Sequence, residues 1–142
     1  MKDALLLDTH IALWLDSGNE NLRPSTRTLI DDRWRNGGTI FLSSVTAWEI
    51  ALLVDLARIE LDLPVDAWLQ RFIDRPGIEA VSLAPHAAAR SYALNHLEHR
   101  DPADRLLIAT AIDLGCPFVT YDARIIQFSR KRGRQHGFSV EI

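Results

Sequence analysis

Cysteine is nearly absent from this sequence, because Cys116 is the single residue of that type among 142. An internal disulfide is therefore excluded, and so is a metal site built from several thiolates. Such sparse use of cysteine is typical of proteins in a reducing compartment. The composition therefore predicts a cytoplasmic location.

Long apolar runs are also missing. The run Ala4–Leu7 ends at Asp8 and is far shorter than the apolar region of a signal peptide. No segment approaches the roughly 20 apolar residues that span a bilayer. We therefore expect a protein that is neither exported nor inserted in a membrane. A glycine-rich phosphate loop and a dinucleotide fingerprint are absent too, so nothing in the sequence indicates ATP or NAD.

The length and composition fit one folded domain. With 142 residues, of which 47% are hydrophobic and 25% charged, the chain can bury roughly two thirds of the surface that it exposes when unfolded. No internal repeat, low-complexity tract or linker divides it. We therefore expect a single domain over residues 1–142.

Charge is distributed unevenly along the chain. Residues 1–123 contain 11 Lys and Arg against 18 Asp and Glu, whereas residues 124–142 contain 5 against 1. This basic end could contact a phosphate backbone without making the whole protein a nonspecific binder. The alternative is a solvated, frayed terminus, and the sequence does not decide between the two.

Apolar runs alternate with segments of helical spacing. Strands are predicted at Ala4–Leu7, Thr39–Leu42, Ile78–Leu83 and Pro117–Thr120, with Phe138–Ile142 as a candidate last strand. Helices are predicted at Thr9–Ser17, Ser25–Arg35, Ser44–Leu56, Val65–Asp74, Pro85–Leu97, Pro102–Leu114 and Ala123–Arg130. Such alternation is typical of an α/β fold whose parallel sheet is covered on both faces.

Several helix boundaries carry recognisable signals. Ser44 and Asp101 are predicted N-caps, because their side-chain oxygens can accept a backbone N–H of the first turn. Pro85 and Pro102 suit first helical positions, and Gly115 suits the position just after a helix end. These signals support the predicted element boundaries.

Two aspartates directly follow predicted strands. Asp8 comes after Leu5–Leu7, and Asp122 comes after Phe118–Tyr121. Both carboxylates should therefore lie at the carboxyl edge of the sheet, where open α/β sheets bind ligands. Taken singly, each could instead be a turn or N-cap residue that opens the next helix.

Two further acids lie on predicted helices. Glu49 is within the nearly apolar segment Val45–Leu53, where an ionised carboxylate needs a cation, an arginine or water. Asp104 shares a helix face with Leu107 and Ile108. The alternatives are a structural ion pair for Glu49 and a capping-box role for Asp104.

The four acids together indicate a metal site. If they converge above one sheet edge, each like-charged pair at about 5 Å costs roughly 3 kcal/mol in an effective dielectric of about 20. A bound divalent cation would offset this repulsion, and raised pKa values of the carboxyl groups are the alternative. Oxygen ligands without a nearby cluster of Cys or His suit Mg²⁺ or Mn²⁺ better than Zn²⁺.

Four ordered segments carry a family resemblance: Leu5–His10, Ser43–Ala51, residues 99–109 and Thr120–Asp122. They resemble the motifs of PIN-domain ribonucleases, in particular VapC-like toxins of type II toxin–antitoxin systems. The resemblance covers about residues 4–126 and departs at Ala103, where such relatives often have Phe. It implies a three-layer α/β/α sandwich with a central, mainly parallel sheet.

The resemblance also implies an activity. PIN-domain nucleases hydrolyse RNA phosphodiester bonds with Mg²⁺ or Mn²⁺, and motif position assigns the metal site to Asp8, Glu49, Asp104 and Asp122. Asp8 and Asp122 are expected to bind the ion directly, and Glu49 and Asp104 directly or through water. A hard dication can lower the pKa of attacking water and neutralise the scissile phosphate. The expected protein is an endoribonuclease toxin that leaves a 5′-phosphate and a 3′-hydroxyl and inhibits translation or growth. The sequence does not identify its RNA target.

Neighbouring side chains have predicted supporting roles. Thr9, Ser43 and Thr120 could orient carboxylates or bound water through their hydroxyls. The residues predicted to contact RNA phosphate are Arg105, Arg124, Arg130 and Lys131.

Protein partners are implied by the resemblance as well. VapC-like toxins commonly form homodimers and bind a VapB-like antitoxin that occludes the acidic site, so both partners are expected here. The residues that could supply an apolar groove for a partner are Leu52, Leu53, Leu56, Trp68 and Leu69. Periodicity alone does not separate such a groove from a core.

Two other functions fit parts of the pattern. A phosphatase of the haloacid-dehalogenase type would use Asp8 as nucleophile, but it usually needs a second aspartate where this chain has His10. It also needs a cationic side chain late in the sheet, and the lysines of this chain are only Lys2 and Lys131. A catalytically silent RNA- or protein-binding module would use the acids structurally, although all four family positions are acidic.

Overall fold

The computed structural model describes residues 3–98 and 101–142 of the chain. In chain order its elements are β1 (Leu5–Leu7), α1 (Thr9–Ser17), α2 (Pro24–Arg35), β2 (Ile40–Ser43), α3 (Ser44–Asp55), α4 (Val65–Ile73), β3 (Ile78–Val81), α5 (Pro85–Arg90), α6 (Pro102–Leu114), β4 (Phe118–Val119) and α7 (Ala123–His136).

The four strands form one parallel sheet in the order β3-β2-β1-β4. Leu6 of the inner strand β1 pairs with Phe41 of β2 on one side and with Phe118 of β4 on the other. Because β1 and β4 are neighbours and run in the same direction, the residues that follow them emerge side by side. This places Asp8 and Asp122 at the same edge of the sheet.

Each face of the sheet has its own hydrophobic core, because successive side chains of a strand point to opposite faces. Leu6 and Phe118 pack with α6 and α7, whereas Leu5 and Leu7 pack with α1, α2 and α4. Burying one leucine or phenylalanine fully contributes about 1.5–3 kcal/mol. The predicted α/β/α sandwich with a parallel sheet is confirmed.

α3 begins at Ser44 as predicted, but its N-cap differs from the prediction by one residue. Ser43, not Ser44, is the N-cap, because its backbone is extended and its hydroxyl accepts the N–H of Val45. The hydroxyl of Ser44 instead accepts the N–H of Leu83. That contact helps to explain why β3 ends at Val81, since the N–H of Leu83 is used by a side chain rather than by the sheet.

The predicted helix from Pro85 to Leu97 was too long, because α5 ends at Arg90. His96 adopts a left-handed backbone conformation with φ 73°, which an α-helix cannot contain. The guanidinium of Arg105 also donates to the carbonyls of Ser91 and Leu97, at 3.0 and 2.7 Å. Residues 91–98 therefore form a loop that is fixed by a side chain from α6.

The last helix is longer than predicted and runs to His136, where Gly137 ends it with φ 69°. The frayed terminus considered from the sequence is therefore wrong. Gly133 lies inside this helix because the returning chain passes against it. A Cβ at this position would lie 2.3 Å from the carbonyl oxygen of Phe138.

The candidate last strand contributes a single bridge. Val140 pairs with Phe118 in a parallel arrangement, and the N–H of Glu141 donates to the carbonyl of Phe118 at 3.1 Å. The predicted first helical positions of Pro85 and Pro102 are confirmed, and Gly115 follows α6 with φ 66°. β3 ends at Val81, two residues before the predicted Leu83, and the other element boundaries agree with the prediction to within one residue.

In the part of the chain that the structure describes, every helix is too short or too polar to cross a bilayer.

Candidate active site

A cavity of about 520 Å³ lies at the carboxyl ends of β1 and β4. The acids that line it are Asp8, Glu49, Asp101, Asp104 and Asp122. The structure therefore brings the four predicted acids together and adds Asp101. They come from the ends of two strands, the middle of α3 and the start of α6, so only the folded chain assembles them.

Asp8 is held in place by two hydrogen bonds. Its Oδ1 accepts the N–H of Thr9 at 2.8 Å, which makes it the N-cap of α1, and its Oδ2 accepts the hydroxyl of Thr120 at 2.7 Å. Burial raises the pKa of Asp8, and the charge of Asp122 adds to this, although both hydrogen bonds act in the opposite direction. The carboxylate is thus fixed in an environment that disfavours its negative charge.

Glu49 is half-buried on α3 and faces α1. The hydroxyl of Thr9 donates to its Oε1, and the hydroxyl of Thr46 lies 3.2 Å from that of Thr9. Burial raises the pKa of Glu49, and the charges of Asp8 and Asp101 raise it further. Among the ion pairs formed by described residues, none involves Glu49, so the ion-pair alternative gains no support.

Three carboxylates are close enough to share one cation. Oxygen atoms of Glu49, Asp101 and Asp104 all lie within 4.8 Å of one another. Oxygens on opposite sides of a Mg²⁺ ion are about 4 Å apart, so this group is near coordinating geometry. The donors are all oxygens, which suits a hard divalent cation. The residues present therefore fit a metal site.

Two of the acids, Asp122 and Asp101, cap helices and also line the cavity. Asp122 accepts the N–H groups of Arg124 and Ile125 at its Oδ1, at 2.9 and 3.3 Å. Asp101 accepts the N–H of Asp104 at 3.2 Å, so its predicted N-cap role is confirmed. Capping occupies one oxygen of each carboxylate, and a carboxylate has two oxygens. The capping alternatives therefore do not exclude metal binding.

A comparison of the sequence with known protein families gives a match over most of the chain. The PIN domain family matches residues 5–131 of the chain. The chain belongs to the PIN-domain family. The expectation drawn from the four motifs is thereby confirmed at the level of the family.

This PIN domain is similar to known proteins both in sequence and in solved structure. Ribonuclease VapC22 of Mycobacterium tuberculosis (strain ATCC 25618 / H37Rv) is 33% identical over 121 residues, which cover 85% of this chain and 88% of that protein. The crystal structure of VapBC2 from Rickettsia felis, bound to a DNA fragment from their promoter, matches with a TM-score of 0.68 and 19% identity over 97% of each chain. FitAcB from Neisseria gonorrhoeae matches with a TM-score of 0.52 and 19% identity, over 97% of this chain and 96% of that one. The two solved structures support the fold.

Among the acids of the cavity, Asp101 is the one that the sequence interpretation did not place there. Its position before Pro102 indicated an N-cap, and that role hid a second one. A usable signal was present, because residues three apart in the first turn of a helix lie on the same face. Asp101 and Asp104 have this spacing, so the same cavity receives both carboxylates.

An aromatic wall, formed by His10, Trp14 and Tyr121, borders the acids of the PIN domain. Ring centroids are 5.8 Å apart for His10 and Trp14 and 5.9 Å apart for Trp14 and Tyr121. The Tyr121 hydroxyl donates to Thr26 at 2.6 Å and accepts the N–H of Arg23 at 3.0 Å. The wall is therefore anchored to α2.

The remaining predicted residues fall into three groups. Thr9 and Thr120 contact cavity carboxylates, whereas the Ser43 hydroxyl caps α3. Arg105 holds the loop 91–98. Arg124 and Lys131 line a different depression, and Arg130 is exposed on α7. Residues 99 and 100, which begin the third motif, lie outside the described residues.

Proposed function

We propose that this protein is a divalent-metal-dependent endoribonuclease that hydrolyses RNA phosphodiester bonds. One observation carries the proposal: a PIN fold gathers five carboxylates into a single cavity at the carboxyl ends of its strands. The 33% identity to a protein named Ribonuclease VapC22 supports the same reaction.

The metal is proposed to be Mg²⁺ or Mn²⁺, since the donors are carboxylate oxygens. Glu49, Asp101 and Asp104 would hold it, with Asp8 and Asp122 on the strand side of the same cavity. When bound, such an ion lowers the pKa of water and neutralises phosphate charge. The products expected from this hydrolysis are a 5′-phosphate and a 3′-hydroxyl.

The other residues of the site position these acids. Thr9 donates its N–H to Asp8 and its hydroxyl to Glu49, so one residue aligns two carboxylates. Thr120 donates to the second oxygen of Asp8 and accepts the N–H of Asp122 at 3.1 Å. Such outer contacts fix the orientation of ligands around a metal.

A protein partner is part of the proposal. The similar solved structures are described as VapBC2, FitAB and FitAcB, and we propose a VapB-like antitoxin for this chain, which would then act as the toxin of the pair. A surface for a partner is available on α3 and its C-cap, where Trp48, Leu52 and Leu56 are 56%, 39% and 50% exposed at spacings of four residues. A homodimer would use similar apolar surface. Trp68, which was predicted to be part of this groove, is only 2% exposed and stacks on Phe72.

The test is cleavage of RNA by the purified protein. We expect turnover with Mg²⁺ or Mn²⁺, none with excess EDTA, and a large loss in Glu49→Gln. Glutamine keeps a side-chain oxygen that can accept the Thr9 hydroxyl, so this variant changes the charge more than the packing. Cleavage that persists in EDTA or in Glu49→Gln would contradict the assignment. A binding module without catalysis would retain RNA without turnover in any divalent metal.

A further inference from the structure

A second depression, here called the basic groove, lies between α7 and the loop 91–98. It has a volume of about 650 Å³. The charged or ionisable residues that line it are His96, Glu98, Arg124, Lys131 and Arg132. Three of these carry a permanent positive charge and one a negative charge, so the groove attracts anions overall.

The groove begins where the acidic cavity ends. Arg124 is its first cation, and the backbone N–H of Arg124 donates to Asp122, which lines the cavity. Lys131 is seven residues further along α7, which is two helical turns, or about 10 Å along the axis. Both side chains therefore lie on one flank of the helix and extend in a line away from the acids.

The cations of the groove are available to a ligand. Among the described residues, the arginines in ion pairs are Arg33, Arg71 and Arg75, which lie elsewhere on the molecule. Arg124, Lys131 and Arg132 are exposed and form no such pair within the described part of the chain. A row of unpaired cations at this spacing suits a chain of phosphates better than a single small anion.

The wall of the groove is held in a fixed shape. The ring of His136 stacks on Phe128 at 5.5 Å, and its Nε2 lies 3.1 Å from the carbonyl oxygen of Asn95. On the other side of the loop, Arg105 binds two carbonyls. His96 remains exposed in a left-handed conformation, which costs energy and is found preferentially at binding sites. The loop is therefore tied to both α6 and α7.

We propose that the basic groove binds the backbone phosphates of the RNA strand on one side of the bond that is cut. Arg124 and Lys131 are the principal contacts. This inference rests on the proposed ribonuclease function and adds the path of the substrate. It also separates the basic residues of α7 into two sets, because Arg130 and Arg134 do not line the groove in the described structure.

The test compares two double variants with the same change in net charge, Arg124→Gln with Lys131→Gln and Arg35→Gln with Arg134→Gln; Arg35 and Arg134 are exposed and do not line the groove. Binding of a fluorescein-labelled, mixed-sequence single-stranded RNA is measured by anisotropy in EDTA at several salt concentrations. Each phosphate contact to a single strand contributes about 0.7 to the slope of log K against log salt. We expect the groove variant to reduce this slope by about 1.4 and the control variant to leave it nearly unchanged.

Equal losses in the two variants would overturn the inference, because they would indicate an effect of net charge alone. An unchanged slope in the groove variant would overturn it too, and would favour a protein partner for this surface. Cleavage in Mg²⁺ is then measured separately, with a raised KM and a retained kcat expected for the groove variant. If the unmodified protein binds RNA through the groove but never cleaves it, the proposed function fails while the binding result remains interpretable.

Discussion

The acidic cavity and the basic groove are neighbours on either side of the start of α7. They carry opposite charges, and they differ in where along the chain the charged residues come from and in how far these residues are buried. The carboxylates of the cavity come from segments more than 100 residues apart, from Asp8 to Asp122, and several are partly buried. The cations of the groove come from one helix and are exposed. Solvent and salt screen exposed charges much more than buried ones.

This difference teaches what each region needs. Burial, together with a smaller contribution from the charges of neighbouring acids, raises the pKa of Asp8 and of Glu49, so the folded protein gains from a cation there. The groove carries its charges in water at little cost and needs no ion in order to fold. Metal binding in the cavity should therefore raise the stability of the folded protein, whereas added salt should weaken RNA binding in the groove.

The largest effect is expected from Asp8→Asn, which should lower kcat/KM for RNA by about 100-fold or more, since loss of a carboxylate that lines the metal cavity should cost no less than loss of an outer contact. Asparagine is as good an N-cap as aspartate, so α1 should remain intact. Asp66→Asn, a change in the first turn of α4 outside the cavity, is the matched control and should retain activity. Similar losses in both variants would contradict a special role for the cavity.

A smaller loss is expected from Thr120→Val, which removes the hydroxyl that holds Asp8 and keeps the shape of a buried residue. Loss of such an outer contact typically weakens metal binding by about 10- to 100-fold. Titration of activity with Mg²⁺ measures the change. Thr110→Val is the control, because Thr110 is also buried but donates to the carbonyl of Leu106. Mg²⁺ dependence that is equal in both variants would remove Thr120 from the site.

The third prediction concerns stability in EDTA. Because folding raises the pKa of Asp8, the protonated carboxyl stabilises the folded state fully below its unfolded pKa of about 4, and this contribution is lost as pH rises through the folded pKa. Asp8→Asn should therefore melt at a higher temperature than the unmodified protein at neutral pH, with the difference vanishing at low pH. Mg²⁺ should narrow the difference, because it stabilises only the protein that binds it. Melting curves over pH would contradict this if the variant were less stable at neutral pH.

The smallest effect is expected from Arg105→Gln, which removes the donors to the carbonyls of Ser91 and Leu97. Leaving such acceptors unsatisfied costs about 1–3 kcal/mol, and the loop at the groove should exchange its amide hydrogens faster. RNA binding should weaken moderately with little change in metal affinity. Arg90→Gln, at the end of α5, serves as a nearby control. An unchanged exchange rate for residues 91–98 would show that the hydrogen bonds from Arg105 do not stabilise this loop.

Local rules predicted the sheet and the strand-end acids well. Asp8 and Asp122 follow apolar strands, and that pattern needs no knowledge of distant contacts. Asp101 was missed as a cavity residue because its capping role already explained its position. The length of α7 was missed because an internal glycine disfavours a helix, and the contact that favours Gly133 comes from the returning chain. Tertiary contacts decided both cases.

The role of Arg105 was predicted wrongly because the helix that begins at Pro85 was predicted to be too long. Residues 85–97 have helical spacing, so the carbonyls of Ser91 and Leu97 would lie inside and at the end of one predicted helix. In the structure they bond to a side chain from α6, and an arginine expected to contact phosphate stabilises a loop. The sequence could not show this role of Arg105, because it depends on α5 ending at Arg90 and on the path of the loop that follows.

Gly133 also protects the edge of the sheet. The absence of a side chain there lets Phe138 approach α7, and the chain then continues to Val140, which covers the outer side of β4 with one bridge. An uncovered parallel strand presents unpaired N–H and C=O groups to which another molecule can add a strand. A residue inside a helix therefore helps to keep separate copies of this protein from associating edge to edge.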